Sequence, residues 1–171
     1  MTRSSSAFAR RNRKLVRRVI KSAPLARGVR DLLALPNGSR LLRFERDGEL
    51  SNLSAPLLND YLGEHLGNGF TAKDFRTWGG SLLAAAELAR CGPPPNEAEA
   101  KRVLSGVMRK VGEELGNTAA VARDSYVSPA VVEHYRAGRT IEDFRARNGA
   151  GPPRLTSDEK ALVRLLRSDR R

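Results

Sequence analysis

Tyr126 stands nine residues after Asn117, which follows Leu115-Gly116, and about forty residues earlier Thr71-Ala72-Lys73-Asp74-Phe75-Arg76-Thr77-Trp78-Gly79-Gly80 opens a helical run that presents an arginine. These residue types suit one chemistry. Phosphodiester transfer without a metal needs a nucleophile, positive donors around the phosphoryl oxygens and an acid for the leaving oxygen. The phenol of Tyr126 can be the nucleophile, and its phosphate ester would conserve the energy of the broken strand. Arg76 has a planar fork that donates two hydrogen bonds to a phosphate and stays protonated, and a helix start adds a favourable dipole. Asn117 can donate one more hydrogen bond without a charge.

Each of these residues also has an ordinary explanation. An arginine in a helical run is most often a surface or ion-pairing residue. Asn after Gly at a helix end is common for capping reasons alone. Tyr61 and Tyr135 fall on apolar stripes and read as core residues. His65 and His134 have no metal-ligand spacing with Cys91, so no metal site is expected. No glycine-rich phosphate loop is present, so nucleotide hydrolysis has no support.

The elements that must position these groups are mostly helical. Met1 to about Asn12 has the composition of a disordered arm, and Leu15 to Ile20 reads as a short strand. Ser22 and Pro24 start a helix that Leu35-Pro36-Asn37-Gly38 ends. Leu41–Arg46 and Glu49–Leu53 flank Asp47-Gly48, a strong hairpin signal. Ser54 and Pro56 open a helix carrying Leu57, Leu58, Tyr61, Leu62 and Leu66. Thr71 with Asp74 opens another, with Phe75, Trp78, Leu82 and Leu83, and both read as amphipathic core helices. Beyond the proline run after Cys91, Asn96 and Glu99 start a helix bearing Val103, Leu104, Val107, Met108, Val111 and Leu115, which Gly116 ends. A short helix follows Thr118, Ser128-Pro129 starts the next, and Asn148 to Pro153 reads as a linker to a last helix capped by Thr156 and Glu159.

Composition narrows the class. The chain has 171 residues and a formal charge of +12. Its first thirty residues hold eight Arg and two Lys with no Asp or Glu, which leaves only +2 for the rest. Such a basic start attracts phosphate backbones through counterion release, without sequence preference. The single cysteine, Cys91, cannot form an intramolecular bridge, and no apolar run approaches bilayer-spanning length. A reduced, soluble, cytoplasmic protein is expected.

Taken together, Leu115-Gly116-Asn117 with Tyr126, Lys73-Asp74-Phe75-Arg76-Thr77-Trp78-Gly79, Asn59-Asp60-Tyr61-Leu62 and Arg123-Asp124-Ser125-Tyr126 with Ser128-Pro129 closely resemble the catalytic domain of type IB DNA topoisomerases of the bacterial, poxvirus-like group. The resemblance extends over roughly residues 24 to 140. It implies the topoisomerase IB/tyrosine recombinase catalytic-domain fold, mainly α with a small β-hairpin (α+β). It further implies relaxation of supercoiled duplex DNA through a 3′-phosphotyrosyl intermediate, with no cofactor, by a nucleoid-associated monomer. On this resemblance Tyr126 is the nucleophile, Arg76 stabilises the transition state, Asn117 takes the place of a histidine in the poxvirus enzymes, and Lys73 and Arg123 contact DNA. Tyrosine recombinases share the spacing but usually carry His where Lys73 and Asn117 stand.

The family also uses a Gly-Lys motif on a β-hairpin as general acid toward the 5′-oxygen. Here Arg10-Arg11 stands in its place, with Lys14 three residues later. Arginine holds its proton too tightly to be a good acid, so Arg11 suits a phosphate contact and Lys14 a substitute acid. The expected organisation is a basic arm over 1–14, a catalytic domain lacking its amino-terminal part over 15–147, and a linker with a last helix over 148–171. A truncated, impaired enzyme is the expectation, with a non-catalytic DNA-binding remnant as the first alternative and a tyrosine recombinase as the second.

Overall fold

The computed structural model describes residues 4–9, 15–36, 38, 40–146 and 154–168. Contacts divide the chain into two units, Met1–Phe70 and Thr71–Arg171.

Among the described residues, the first unit carries two antiparallel strand pairs and two helices. Strand β1 (Ser4–Ala9) pairs with β2 (Leu15–Ile20), Ser4 lying opposite Ile20 and Ala9 opposite Leu15. A paired strand thus occupies part of the segment expected as a disordered arm. Averaged over the arm, the charge density argues for disorder, but Ser4–Ala9 itself carries no charge and is free to pair. Helix α1 (Ala23–Ala34) starts at Ser22, whose hydroxyl accepts from the Leu25 N–H at 3.4 Å. Strands β3 (Arg43–Arg46) and β4 (Glu49–Asn52) turn through Asp47-Gly48, where φ is positive at both residues (54° and 81°), the geometry of the tight hairpin turn anticipated from this dipeptide.

Arg43 ties this hairpin to the end of α1. Its guanidinium donates to the carbonyls of Pro36 (2.7 Å), Leu35 (3.0 Å) and Leu32 (3.2 Å), satisfying acceptors that a helix C-terminus leaves open. Helix α2 (Ala55–Leu66) forms where expected but buries none of its residues. Tyr61, expected in a core, is 55% exposed and stacks on His65 with ring centroids 4.1 Å apart. An apolar stripe marks a face that can be covered, and only a facing element covers it.

The second unit holds α3 (Ala72–Cys91), α4 (Glu97–Leu115), α5 (Ala119–Ser125), α6 (Pro129–Arg136), a 3-10 turn (Ile141–Phe144) and α7 (Ser157–Ser168). Its core joins Leu104, Val107, Met108 and Val111 of α4 to Val131 and Tyr135 of α6, Ile141, and Ala161, Leu162 and Leu165 of α7. The last helix, expected beyond a linker, therefore belongs to this core. Arg145 pins its start: the guanidinium donates to Glu142 (2.5 and 2.9 Å), Asp158 (2.7 Å) and Ser157 (2.5 Å), and the two carboxylates hold it firmly protonated. His134, nearly buried, links α6 to α7. Its Nδ1 accepts from Arg139 at 2.6 Å, which leaves Nε2–H to donate to Ser168 Oγ at 3.1 Å while that hydroxyl donates to the Leu165 carbonyl.

Helix α3 departs from expectation in which face it buries. Phe75 is 57% exposed, Trp78, Leu82 and Leu83 are half-buried, and the buried face is Gly80, Ser81, Ala84, Ala85 and Leu88. Small side chains at this spacing let neighbouring backbone come close. A search for large apolar residues overlooks such a face.

Candidate active site

The site is built from the start of α3, the end of α4 and the chain on either side of Tyr126. At the start of α3, the Asp74 carboxylate accepts from both the Thr71 hydroxyl and the Thr71 N–H at 2.8 Å. Those two bonds, the hydroxyl's first, hold the Asp74 carboxyl below its ordinary range. The cap fixes the first turn and with it the direction of Arg76 one turn on. Lys73, in the same turn, is exposed.

The end of α4 is closed by Gly116 in the left-handed region (φ 65°, ψ 42°). The Asn117 N–H then bonds back to the Gly112 carbonyl at 2.6 Å. Glycine is needed at 112 for space: a Cβ there would lie 2.9 Å from the Asn117 oxygen and from two Thr118 backbone atoms. Thr118 caps α5, accepting from the Val121 N–H at 3.2 Å, and α5 ends after two turns at Tyr126, whose N–H bonds to the Ala122 carbonyl.

Three of the predicted site residues meet here. Arg76 Nη2 donates to the Leu115 carbonyl at 3.0 Å, and Asn117 Nδ2 donates to the same oxygen at 3.3 Å. The Arg76 guanidinium carbon lies 4.9 Å from the centre of the Tyr126 ring, within the range of a cation–π contact. Two hydrogen-bond donors of different charge therefore converge on one oxygen beside a half-buried phenol. That oxygen carries the partial negative charge of a helix C-terminus, and a phosphoryl oxygen, with a full charge to share, is a stronger acceptor for the same donors.

Arg123 faces a different surface. Arg123 lines a groove of about 440 Å³ with Lys101 and Arg136 around Leu104, Met108 and Val132; Arg76, Asn117 and Tyr126 do not line it. Arg11 and Lys14 lie outside the described residues.

Residues not anticipated from the sequence also shape the site. The Thr77 hydroxyl lies 3.3 Å from the Ser125 carbonyl and 3.2 Å from the Lys73 carbonyl. Ser81 accepts from the Ser128 N–H at 2.9 Å, and Gly80 leaves room for the Tyr126 carbonyl, which would lie 2.4 Å from a Cβ at that position. Sequence held one clue: a Gly-Gly pair in a helix interior costs stability and so points to close backbone approach.

Among the described residues no helix is long and apolar enough to cross a membrane. The family model described as "Eukaryotic DNA topoisomerase I, catalytic core" matches residues 41–147, a stretch that takes in Arg76, Asn117 and Tyr126. The DNA topoisomerase 1B of Acanthamoeba polyphaga mimivirus is 31% identical over 117 aligned positions, and the match covers 64% of this chain and 34% of that protein. The chain thus spans about a third of that relative's length. With more than half of its residues matched to the catalytic core, and with a type IB relative at this identity, the chain belongs to the DNA topoisomerase I catalytic-core family, of the type IB kind.

Proposed function

We propose that the chain carries the strand-cleaving chemistry of a type IB topoisomerase and, as a monomer on duplex DNA, relaxes supercoils through a 3′-phosphotyrosyl intermediate. The observation that supports this reading best is the convergence of Arg76 and Asn117 on the Leu115 oxygen with the Arg76 guanidinium against the Tyr126 ring. In the reaction Tyr126 Oη loses its proton and attacks phosphorus, a P–O bond to tyrosine forms, the P–O5′ bond breaks, and the 5′-oxygen takes up a proton. Arg76 and Asn117 donate to the non-bridging oxygens, where negative charge grows. The step reverses when the 5′-hydroxyl attacks the phosphotyrosine, so the energy of the strand break is kept in the ester.

The acid for the 5′-oxygen is the open role. Lys14 has a suitable ammonium, immediately before β2 in sequence, whereas Arg11 is fitted to hold a phosphate rather than to protonate an alkoxide. Lys73 and Arg123 are proposed as further contacts to the DNA backbone. The departure at Arg10-Arg11 favours a second reading, a domain that binds duplex DNA without cutting it.

A suicide oligonucleotide, whose cleaved end diffuses away, tests the two. A denaturation-resistant adduct that vanishes in Tyr126→Phe is expected. No adduct at saturating protein, with duplex binding intact, would leave the binding reading in its place.

A further inference from the structure

We propose that Ser81, together with Thr77, is a positioning residue for Tyr126, so that a single helix sets both the phosphate-clamping arginine and the nucleophile. This rests on the reading of Tyr126 as the nucleophile. Residues 126–128 link α5 to α6; the Tyr126 and Val127 N–H groups close α5 on the Ala122 carbonyl, and beyond those two backbone bonds the segment is held by contacts with α3. Helix α3 holds this segment from both sides. Before Tyr126, the Thr77 hydroxyl shares its proton between the Ser125 and Lys73 carbonyls. After Tyr126, the Ser128 N–H donates to Ser81 Oγ at 2.9 Å. Between the two, Gly80 lets the Tyr126 carbonyl lie directly on the helix.

Ser81 is only 2% exposed. A serine inside a helix ordinarily satisfies its hydroxyl on its own helix, on the carbonyl four residues back. This one instead accepts a bond from a residue 47 positions later, and that bond ties the chain just past the phenol to the helix bearing Arg76. Val127, between them, is buried and makes the same segment part of the core. Tyr126 and Arg76 therefore keep their spacing only while α3 grips both flanks of residue 126.

The test uses Thr77→Val, Ser81→Ala and the double variant in the full chain, with Thr77→Ser as the conservative rescue. Single-turnover adduct formation at saturating duplex is read beside the Kd for non-covalent binding. Each single variant is expected to slow cleavage about tenfold and the double about a hundredfold, at unchanged Kd, with Thr77→Ser close to wild type. A folded double variant that cleaves within about twofold of wild type overturns the proposal; should the double not fold, Thr77→Val at the edge of the core decides in the same way.

An independent readout covers the case in which wild type forms no adduct and the nucleophile reading falls. The Tyr126 ring resonance, assigned by its loss in Tyr126→Phe, and the exchange rate of the Ser128 amide are expected to change in Ser81→Ala. If neither moves, α3 does not position Tyr126.

Discussion

Two adjacent glycines in α3 offer a test with an internal control. A Cβ at Gly80 would lie 2.4 Å from the Tyr126 carbonyl oxygen and 3.2 Å from the Tyr126 carbonyl carbon and Leu115 Cδ1, whereas a Cβ at Gly79 would meet nothing within 4 Å. Ordinary contact begins at 3.4 Å, so Gly80→Ala must open the gap by about 1 Å. The obstacle is backbone, which has no rotamer to escape into. The same substitution gains about 1 kcal/mol of helix propensity at either site. At Gly79 that gain stands alone, and Gly79→Ala is expected to raise the melting temperature by several degrees. At Gly80 it is offset by overpacking of about 1 to 3 kcal/mol, so the variant is expected to be no more stable than wild type and less stable than Gly79→Ala.

The effect on chemistry should exceed the effect on stability. A displacement of about 1 Å at the proposed nucleophile, Tyr126, would cost on the order of a hundredfold in rate. Single-turnover cleavage of a suicide duplex by the two variants, beside their thermal melts, measures both quantities. If Gly80→Ala is as stable and cleaves as fast as Gly79→Ala, the close approach of α3 to Tyr126 is not what holds the phenol, and the reasoning fails.

Three further outcomes follow from the same geometry. Arg76→Lys should slow adduct formation by about a hundredfold or more while changing duplex affinity far less, because an ammonium cannot reproduce the two-pronged donation of a guanidinium; equal losses in rate and affinity in a gel-shift and cleavage pair would contradict the assigned role. Gly112→Ala should displace Asn117 and Thr118, whose backbone would lie 2.9 Å from the new methyl, and lower both stability and cleavage, whereas Gly106→Ala, with open space on the same helix, should be neutral or stabilising in a denaturant titration. Asp74 has its carboxyl held below the ordinary range by Thr71. Its contribution is therefore complete above the unfolded value of about 4 and is lost as pH falls through the lower folded value. Melting temperatures taken from pH 6 to pH 2 should fall less steeply in Asp74→Asn, and parallel curves would show that the cap carries no pH-dependent stability.

Local signals were most readable where backbone geometry is set by neighbours in sequence. Ser22-Ala23-Pro24, Asp47-Gly48, Thr71 with Asp74, Asn96 with Glu99, Gly116 and Thr156 with Glu159 mark the starts, turns and stops that the chain adopts, because capping and turn chemistry act within a few residues. Which apolar residues become core was less readable. Leu104, Val107, Met108 and Val111 are buried as their spacing suggests, while Phe75 and Tyr61 lie outside and the small residues of α3 lie inside. Side-chain size marks what can be buried; the shape of the neighbour decides what is.

The same division runs through the candidate site. Residue type, spacing and family resemblance single out Arg76, Asn117 and Tyr126 as candidates, because a nucleophile and its donors are chemical requirements that single side chains can meet. That Arg76 and Asn117 share the Leu115 oxygen, and that Thr77, Gly80 and Ser81 grip the chain around Tyr126, was decided only by the tertiary structure. These contacts join positions from 39 to 48 residues apart, apart from the local one of Asn117. A serine or a glycine in a helix carries no mark of its distant partner, and the partner exists only once α3, α4 and α5 have packed.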